Sequence, residues 1–388
     1  MKNIFIEKNI YESIIKVKGK KKLEVNEPFF NIHTSRYLNF AINKNELSSV
    51  GKYTLKFEEK IKKYCKTSYC LATNSGTSAL HLALKGFGVG LSDEVLVPSL
   101  TFAGTVNAIK YCNANPHFVD SNLKTNLGID TVKLENYLNK NFYLDRRKQL
   151  KNKITKNVVK AIICVHVYGF PSNIIHLKRI AKKYNLFLIE DAAGAFGSKY
   201  KNKKLGTIGD AGIFSFNGNK IITTGGGGAI VTNNKNFFEK IFKLGTTSKV
   251  KHPYEYIHDE VGFNYRMPSI NAALGLAQID IFKKILSKKK ELLNSYLKVF
   301  HHSKFCKVYK SDIVGNNYWL VLLILETKYE KKLNKIIKFL IKKKINVKPV
   351  WKLMSSLKHL KKYPKMNLDG SKEIYKKVLL LPSSVNDN

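Results

Sequence analysis

Short apolar runs alternate with segments of helical period between residues 69 and 232, and this alternation constrains the fold most strongly. The runs are continuous in Val, Ile, Leu and Phe, which is typical of strands covered on both faces. The segments between them carry apolar residues at i, i+3 and i+4. The pattern predicts an α/β fold with a mostly parallel sheet. We predict seven strands, over Tyr69–Thr73, Glu94–Pro98, Pro116–Asp120, Val158–Val167, Leu186–Asp191, Ala211–Phe216 and Gly228–Thr232.

The pattern changes after about residue 245, where long Lys-rich amphipathic helices begin. An apolar run over Tyr318–Leu325 and a further helix over Lys331–Lys344 follow, which together indicate a smaller α+β domain. A chain of 388 residues is also long enough for about two domains. We therefore predict a large domain over residues 1–245 and a smaller C-terminal domain over residues 246–388.

The chain carries 68 Lys and Arg against 28 Asp and Glu, a net charge of +40. Such a charge suits nucleic acid or another anionic partner. The lysines are spread along the whole chain, however, with no basic tail and no recognisable nucleic-acid module, so we expect no nucleic acid partner. A composition shaped by an AT-rich genome, or a site for an acidic substrate, would each account for the excess.

The cysteine count and the hydropathy of the chain bear on its location. The five cysteines form no CxxC pair and no Cys/His cluster with zinc spacing. Lys and Glu interrupt the N-terminus before it reaches signal-peptide length, and no apolar run reaches the roughly 18–20 residues of a membrane span. We therefore predict a cytoplasmic protein without a membrane span or metal site.

Unusual polar stretches follow two early strands, where an open α/β sheet binds its ligands. Ser75-Gly76-Thr77 opens a helix after the first strand, and its free N–H groups would attract an anion such as a phosphate. A plain N-cap is the alternative. Phe102 begins the helix after the second strand, where it would either stack on a planar ring or pack in the core.

Two charged residues at later strand ends are the strongest chemical signals. Asp191 ends a central apolar strand, where a buried carboxylate needs a partner such as a pyridinium nitrogen; a helix cap or a structural salt bridge is the alternative. Lys220 stands between the turn after Ser215 and the run TTGGGG. A lysine on a turn walled by glycine is poorly hydrated, which lowers its pKa and favours the neutral amine that bonds to an aldehyde.

Five stretches together resemble the DegT/DnrJ/EryC1/StrS family of sugar-nucleotide aminotransferases, which are fold-type I pyridoxal-phosphate enzymes. The resemblance extends from Asn26 to Ser384, and the KLGTTSKVKHPYEYIHDEVGFNYRMP segment is most similar to the LegC-type branch. The stretches are NSGTSALHLAL, VPSLTFAGTVNAI, EDAAGAFGS, FSFNGNKIITTGGGG and HDEVGFNYRMPSINAALGLAQ.

The resemblance implies a role for each candidate residue. Lys220 would bond to pyridoxal 5′-phosphate and, once released, carry the proton, and Asp191 would pair with the ring nitrogen. Asn264 would enter the phosphate site of a neighbouring subunit, which implies a homodimer with shared active sites. The resemblance also places His166–Gly169 beneath the cofactor and Leu47–Lys52 near the substrate. Gly76, Thr77 and Ser215 would hold the phosphate, with Phe102 against the ring.

Two positions depart from the family pattern. Many relatives carry His, Gln or Glu where this chain has Gly194, so a polar contact near the ring would be absent or replaced by water. Most relatives have a bulky residue just before the SSVG segment, where this chain has Glu46 and Leu47. Neither departure affects Lys220, so the amino-transfer chemistry is retained.

The resemblance therefore implies an aminotransferase with a nucleotide-sugar substrate and an amino-acid donor, L-glutamate. It would aminate C4 of a nucleotide-linked 4-keto-6-deoxy-N-acetylhexosamine, for bacillosamine- or legionaminic-acid-type surface glycans. Two alternatives stay open. One is a sugar dehydratase on the same scaffold, in which relatives replace the lysine by histidine. The other is a basic nucleic-acid-binding or regulatory protein.

Overall fold

The computed structural model of the chain describes residues 6–311 and 315–385. Its helices are α1 Ile6–Lys18, α2 Ile32–Asn43, α3 Lys52–Cys65, α4 Gly76–Gly86, α5 Ala103–Tyr111, α6 Thr131–Asn141, α7 Ile174–Lys183, α8 Lys235–Gly245, α9 Ser269–Asp280, α10 Phe282–Phe300, α11 Leu333–Lys342 and α12 Asp369–Lys377. Its strands are β1 Tyr69–Thr73, β2 Glu94–Pro98, β3 Asn115–Val119, β4 Phe142–Leu144, β5 Leu150–Asn152, β6 Val158–Val165, β7 Phe187–Asp191, β8 Lys199–Tyr200, β9 Lys203–Lys204, β10 Ala211–Ser215, β11 Gly228–Thr232, β12 Lys249–Val250, β13 Ile257–His258, β14 Cys306–Val308, β15 Val321–Leu325, β16 Lys348–Pro349 and β17 Val378–Leu381.

The large sheet has the order β1-β11-β10-β7-β6-β2-β3. From β10 to β3 all neighbours are parallel, whereas β11 runs antiparallel to both β10 and β1. The predicted α/β architecture with a mostly parallel sheet is therefore confirmed. Strands β2 and β11 are buried along their full length, as the continuous apolar runs predicted, because helices cover both faces.

A second, antiparallel sheet of order β14-β15-β17-β16 lies in the C-terminal part. Its core includes Leu323 of β15 and Tyr296 of α10, and it also takes in Ile10 and Ile14 of α1. The N-terminal helix thus packs with the C-terminal sheet, although it precedes the large sheet in sequence. The division of domains at residue 245 stays a prediction.

Buried hydrogen bonds fasten the C-terminal part to the large sheet. Asp120, immediately after β3, accepts from the backbone N–H of Gly370 at 3.1 Å and of Ser371 at 2.8 Å. These groups belong to the first turn of α12, where a carboxylate also meets the positive end of the helix dipole. No helix in residues 6–311 and 315–385 is long and apolar enough to cross a membrane.

Candidate active site

A cavity of about 690 Å³ lies at the carboxyl ends of the strands, between the large sheet and the C-terminal part. It is lined by six of the seven predicted site residues: Gly76, Thr77, Phe102, Asp191, Ser215 and Lys220. Trp319 and Trp351 of the C-terminal part border it on the other side. The fold therefore brings together residues that lie up to 144 positions apart in the sequence.

The N-terminus of α4 forms one wall. Ser75 is the N-cap and accepts from the N–H of Ser78 at 3.0 Å, so the alternative of a helix cap also holds for this tripeptide. The N–H groups of Gly76 and Thr77, at the first two helical positions, have no intrahelical acceptor and suit an anion. Ser215 lies against them, because a Cβ on Gly76 would come within 2.9 Å of the Ser215 Cβ.

The last glycine of the run TTGGGG is needed because two backbone segments pack closely at this position. A Cβ on Gly228, the first residue of β11, would lie 2.6 Å from the backbone carbonyl of Ser75 and 2.7 Å from the N of Gly76. Such separations are too short for any side chain. Gly228 therefore lets β11 pack directly under the α4 N-terminus, which fixes where those N–H groups point.

Asp191 forms the buried floor of the cavity. Its Oδ2 accepts from the Thr105 hydroxyl at 2.7 Å and its Oδ1 from the N–H of Ala193 at 3.1 Å. Burial raises the pKa of the Asp191 carboxyl, and these hydrogen bonds together with the charge of Lys220 oppose the rise. Among the described residues Asp191 forms no ion pair, so the salt-bridge alternative does not hold here.

The neighbouring acid, Glu190, points away from the cavity because successive strand residues face opposite sides. Its carboxylate accepts from the N–H groups of Gly206, Ile208 and Gly209 and pairs with His166 Nε2 at 3.0 Å. Burial would raise the pKa of Glu190, but the hydrogen bond and charge of His166 and the amides of Gly209 and Gly206 lower it overall. Glu190 therefore organises the 206–209 loop, and Asp191 is the carboxylate available to a ligand.

Lys220 reaches the same cavity from the turn after β10. Burial lowers the pKa of its amine to about 8, against a smaller opposing effect of the Asp191 charge. A substantial fraction of the amine is therefore neutral near pH 7.5, which is the form that attacks a carbonyl carbon. The predicted combination of a dehydrated lysine with a buried carboxylate in one cavity is present.

Aromatic side chains provide a flat wall. Phe102 is the N-cap of α5 and is 58% exposed, with its ring 6.0 Å from the ring of Trp351. The alternative of core packing for Phe102 does not hold, because a core residue would be buried. The centroid of the Trp351 ring lies 4.2 Å from that of the Tyr168 ring, and the Tyr168 hydroxyl accepts from the backbone N–H of Trp351 at 3.0 Å.

Trp319 lines the cavity but was not predicted from the sequence, as was also the case for Trp351 and Thr105. A Cβ on Gly194 would lie 2.6 Å from the Trp319 ring, so the indole occupies the space beside the position that departs from the family pattern. Its ring also lies 4.3 Å from Lys220 Nζ. An aromatic residue in the apolar run YWLVLLIL carries no local signal that would distinguish it from core packing.

Asn264 lies outside this cavity. Its carbonyl accepts from the side-chain amide of Asn74 at 3.3 Å, next to the α4 N-terminus, and its backbone pairs with Thr246. The segment Leu47–Lys52 does not border the cavity either. A role for Asn264 in a neighbouring subunit stays a prediction.

The residues present fit pyridoxal phosphate, by the chemistry of the donors and the shape of the cavity. Free N–H groups and a hydroxyl at one end suit a phosphate, and a half-exposed aromatic face suits a planar ring. A buried carboxylate without a cationic partner among the described residues suits a protonated ring nitrogen, and the Lys220 amine suits an aldehyde carbon. Among the described residues no cluster of His, Cys, Asp and Glu could hold a metal ion.

Comparison with known proteins identifies the class. The chain is similar to the solved structure of Helicobacter pylori PseC, an aminotransferase involved in the biosynthesis of pseudoaminic acid, with a TM-score of 0.84 and 25% identity over 93% of this chain and 94% of the other. It is also 31% identical over 339 residues to the Bacillus subtilis putative pyridoxal phosphate-dependent aminotransferase EpsN, covering 86% of this chain and 82% of that one. The fold and site are those of a pyridoxal-phosphate-dependent aminotransferase.

A sequence profile of the DegT/DnrJ/EryC1/StrS aminotransferase family matches residues 33–386, so the chain belongs to this family. The GDP-perosamine synthase of Escherichia coli O157:H7 is 38% identical over 332 residues, 85% of each chain. The predicted family, enzyme class and cofactor are confirmed. The assignment to the LegC-type branch stays a prediction.

Proposed function

We propose that this enzyme transfers an amino group from L-glutamate to C4 of a nucleotide-linked 4-keto-6-deoxy-N-acetylhexosamine, in the cytoplasm, for bacillosamine- or legionaminic-acid-type glycans. One observation carries the amino-transfer chemistry: the Lys220 amine and the buried Asp191 carboxylate face the same cavity. The names of relatives that make amino sugars, and the resemblance to the LegC-type branch, support the class of acceptor.

Different residues of the cavity would bind different parts of pyridoxal phosphate. Pyridoxal phosphate, when bound, supplies a protonated ring that accepts the electron pair left when a proton leaves the amino-acid Cα. The N–H groups of Gly76 and Thr77 and the Ser215 hydroxyl would hold its phosphate, and Phe102 would cover one ring face. Asp191 would hold the proton on the ring nitrogen, because Thr105 and Ala193 keep its two oxygens oriented.

Lys220 would act first as a nucleophile and then as the proton carrier. With its pKa lowered to about 8, the amine loses its proton at little cost near neutral pH and regains one when it acts as a base. Lys220 Nζ would take the proton from the donor Cα and return it on the same face of the ligand. No other base among the cavity residues is needed for this transfer. The two half-reactions would use the same amine in the same position.

Absorbance and product mass test this proposal. Enzyme loaded with pyridoxal phosphate should change its absorbance on addition of L-glutamate and recover on addition of the right keto-sugar. A panel of UDP-, GDP- and CMP-linked 4-keto-6-deoxy sugars, with and without the acetamido group, then identifies the acceptor by product mass. A product that has lost a hydroxyl without gaining nitrogen would instead indicate the dehydratase.

A GDP-linked hexose without the acetamido group is the second candidate acceptor. The observation that favours it is the similarity to GDP-perosamine synthase over 85% of both chains. Turnover of the GDP-linked sugar together with inertness toward every acetamido sugar would replace the first proposal by this one.

Mixed subunits test the shared site of the proposed homodimer. If Asn264 completes the site of the neighbouring subunit, Lys220→Ala and Asn264→Ala chains are each inactive alone. A hybrid dimer of the two carries one site with both defects and one intact site. Mixing the inactive variants under exchange conditions should therefore restore activity, and mixtures that stay inactive despite proven subunit exchange contradict the shared site.

A further inference from the structure

We propose that Trp319 is a positioning residue for Lys220, holding the lysine backbone through its indole N–H and the side-chain amine over its indole face. The inference rests on the role of Lys220 proposed above. It concerns a residue of the C-terminal part acting on the reactive lysine of the large sheet, across the cavity that separates the two.

The first point of attachment is the backbone. Trp319 Nε1 donates to the carbonyl of Asn219 at 2.8 Å, and this carbonyl belongs to the peptide bond that leads into Lys220. The side-chain amide of Asn26 donates to the same carbonyl at 2.9 Å. Two donors on one carbonyl oxygen fix the orientation of that peptide plane, and with it the direction in which the Lys220 side chain leaves the turn.

The second point of attachment is the side chain. The Lys220 Nζ lies 4.3 Å from the Trp319 ring centroid, which is within the range of a cation–π contact. Among the described residues the Lys220 amine donates no hydrogen bond and forms no ion pair. The indole face therefore stabilises the ammonium while leaving the amine free of any hydrogen bond that a ligand would have to break.

Trp319 can act in this way because it is itself immobile. It is 3% exposed, its backbone N–H donates to Asn317 Oδ1 at 3.1 Å, and its carbonyl accepts from Lys289 Nζ at 3.1 Å. Gly194 completes the arrangement, because any side chain there would displace the ring. The absence of a side chain at Gly194 thus makes room for the Trp319 ring.

Fluorescence of the cofactor-free protein tests the contact directly. The chain has two tryptophans, so the Trp351→Phe variant leaves Trp319 as its single indole fluorophore. An ammonium over the ring changes indole emission, so the emission of this variant should show a transition near pH 8, where the amine titrates. Adding Lys220→Met, which keeps the side-chain length without the charge, should remove the part of this transition that is due to Lys220. Titrations that are identical with and without Lys220→Met, or that show no transition in either protein, overturn the proposal.

Other titratable groups lie near the indole and are separated by the same comparison. Asp191 from β7, Tyr168 from the turn after β6 and Lys289 from α10 lie around Trp319 or Lys220. Groups that titrate independently of Lys220 affect the emission of both proteins equally, so the difference between the two titrations belongs to Lys220 and to its charge coupling with Asp191. Because no cofactor or sugar is used, failure of the proposed acceptor leaves this test unaffected.

Kinetics test the positioning role. Trp319→Phe keeps an aromatic face but loses the N–H donor, and Trp319→Leu loses both. In the glutamate half-reaction we expect kcat to fall about ten-fold in Trp319→Leu and less in Trp319→Phe, with little change in KM. The pH midpoint of kcat should move down in Trp319→Leu and move less in Trp319→Phe, which keeps the aromatic face. Wild-type kcat and midpoint in a folded Trp319→Leu enzyme overturn the proposal; if that variant does not fold, the fluorescence titration still decides.

Discussion

Replacement of Thr105 by Val should destabilise the ionised form of the Asp191 carboxylate, while the volume of the side chain at position 105 stays nearly the same. The Thr105 hydroxyl donates to Asp191 Oδ2 at 2.7 Å, and both residues are buried, at 2% and 4% exposure. A buried hydrogen bond to a charged oxygen contributes about 1.5–3 kcal/mol. Valine has nearly the same shape but no donor, so the ionised form of Asp191 loses roughly that stabilisation.

The loss should increase the affinity of Asp191 for a proton about ten- to hundred-fold, since about 1.4 kcal/mol corresponds to a factor of ten. The pKa of the Asp191 carboxyl, which burial already raises, therefore rises further. The carboxylate would then hold the ring nitrogen less well in its protonated form. We expect the acid limb of the kcat/KM profile to move to higher pH, and pyridoxal phosphate to bind more weakly at pH 6 than at pH 8.

Thr101 offers the matched control. Its hydroxyl lies 2.8 Å from that of Thr105 and is also buried, but among the described residues it forms no hydrogen bond with Asp191. Thr101→Val removes the same chemical group one step further from the carboxylate and should move the acid limb much less. Equal displacement in both variants, or an unmoved limb in Thr105→Val, would refute the reasoning that this hydroxyl holds Asp191 ionised.

Further predictions concern the lysines and the glycine run. Lys220→Ala should fold normally but form no borohydride-reducible bond to pyridoxal phosphate, as mass spectrometry would reveal; a reducible bond elsewhere would contradict the assignment. Gly228→Ala should destabilise the protein by about 1–3 kcal/mol in denaturant, because its Cβ meets the Ser75 backbone, and should weaken cofactor binding. Burial lowers the pKa of Lys289 to about 7, so between pH 7 and 10 this residue binds more protons in the unfolded chain than in the folded one. The free energy of unfolding therefore rises with pH across that range. In Lys289→Met that rise should be smaller, and identical slopes would contradict it.

The strands of the large sheet were predicted closely because each strand is indicated by the residues within it and beside it. Strands β1, β2 and β11 have the predicted bounds, and β10 begins at the predicted residue. A fully buried strand must be apolar throughout and must end where polar loop residues begin, and both signals lie within a few residues. The six predicted residues that line the cavity follow from the same rule, since they lie at or within a few residues of the carboxyl ends of β1, β2, β7 and β10.

The features that escaped prediction depend on contacts between distant segments. Helix α1 packs with the C-terminal sheet, which no local pattern near residue 10 indicates. Gly194 reads as a missing polar group until Trp319, 125 residues later, is seen against it. The amphipathic period of a helix shows which of its faces is buried, but it does not show which segment covers that face. The segment that packs against a helix or an aromatic ring is therefore known only from the three-dimensional structure.

Burial acts on both charged groups of the site and drives both toward their neutral forms, raising the pKa of Asp191 and lowering that of Lys220. Hydrogen bonds break this symmetry. Asp191 receives two, from Thr105 and Ala193, and both favour its ionised form. Lys220 has no hydrogen-bond acceptor among the described residues, so only the Asp191 charge and the indole face oppose the loss of its proton. The same buried site can therefore keep an acid charged and an amine reactive, which is the combination that amino transfer requires.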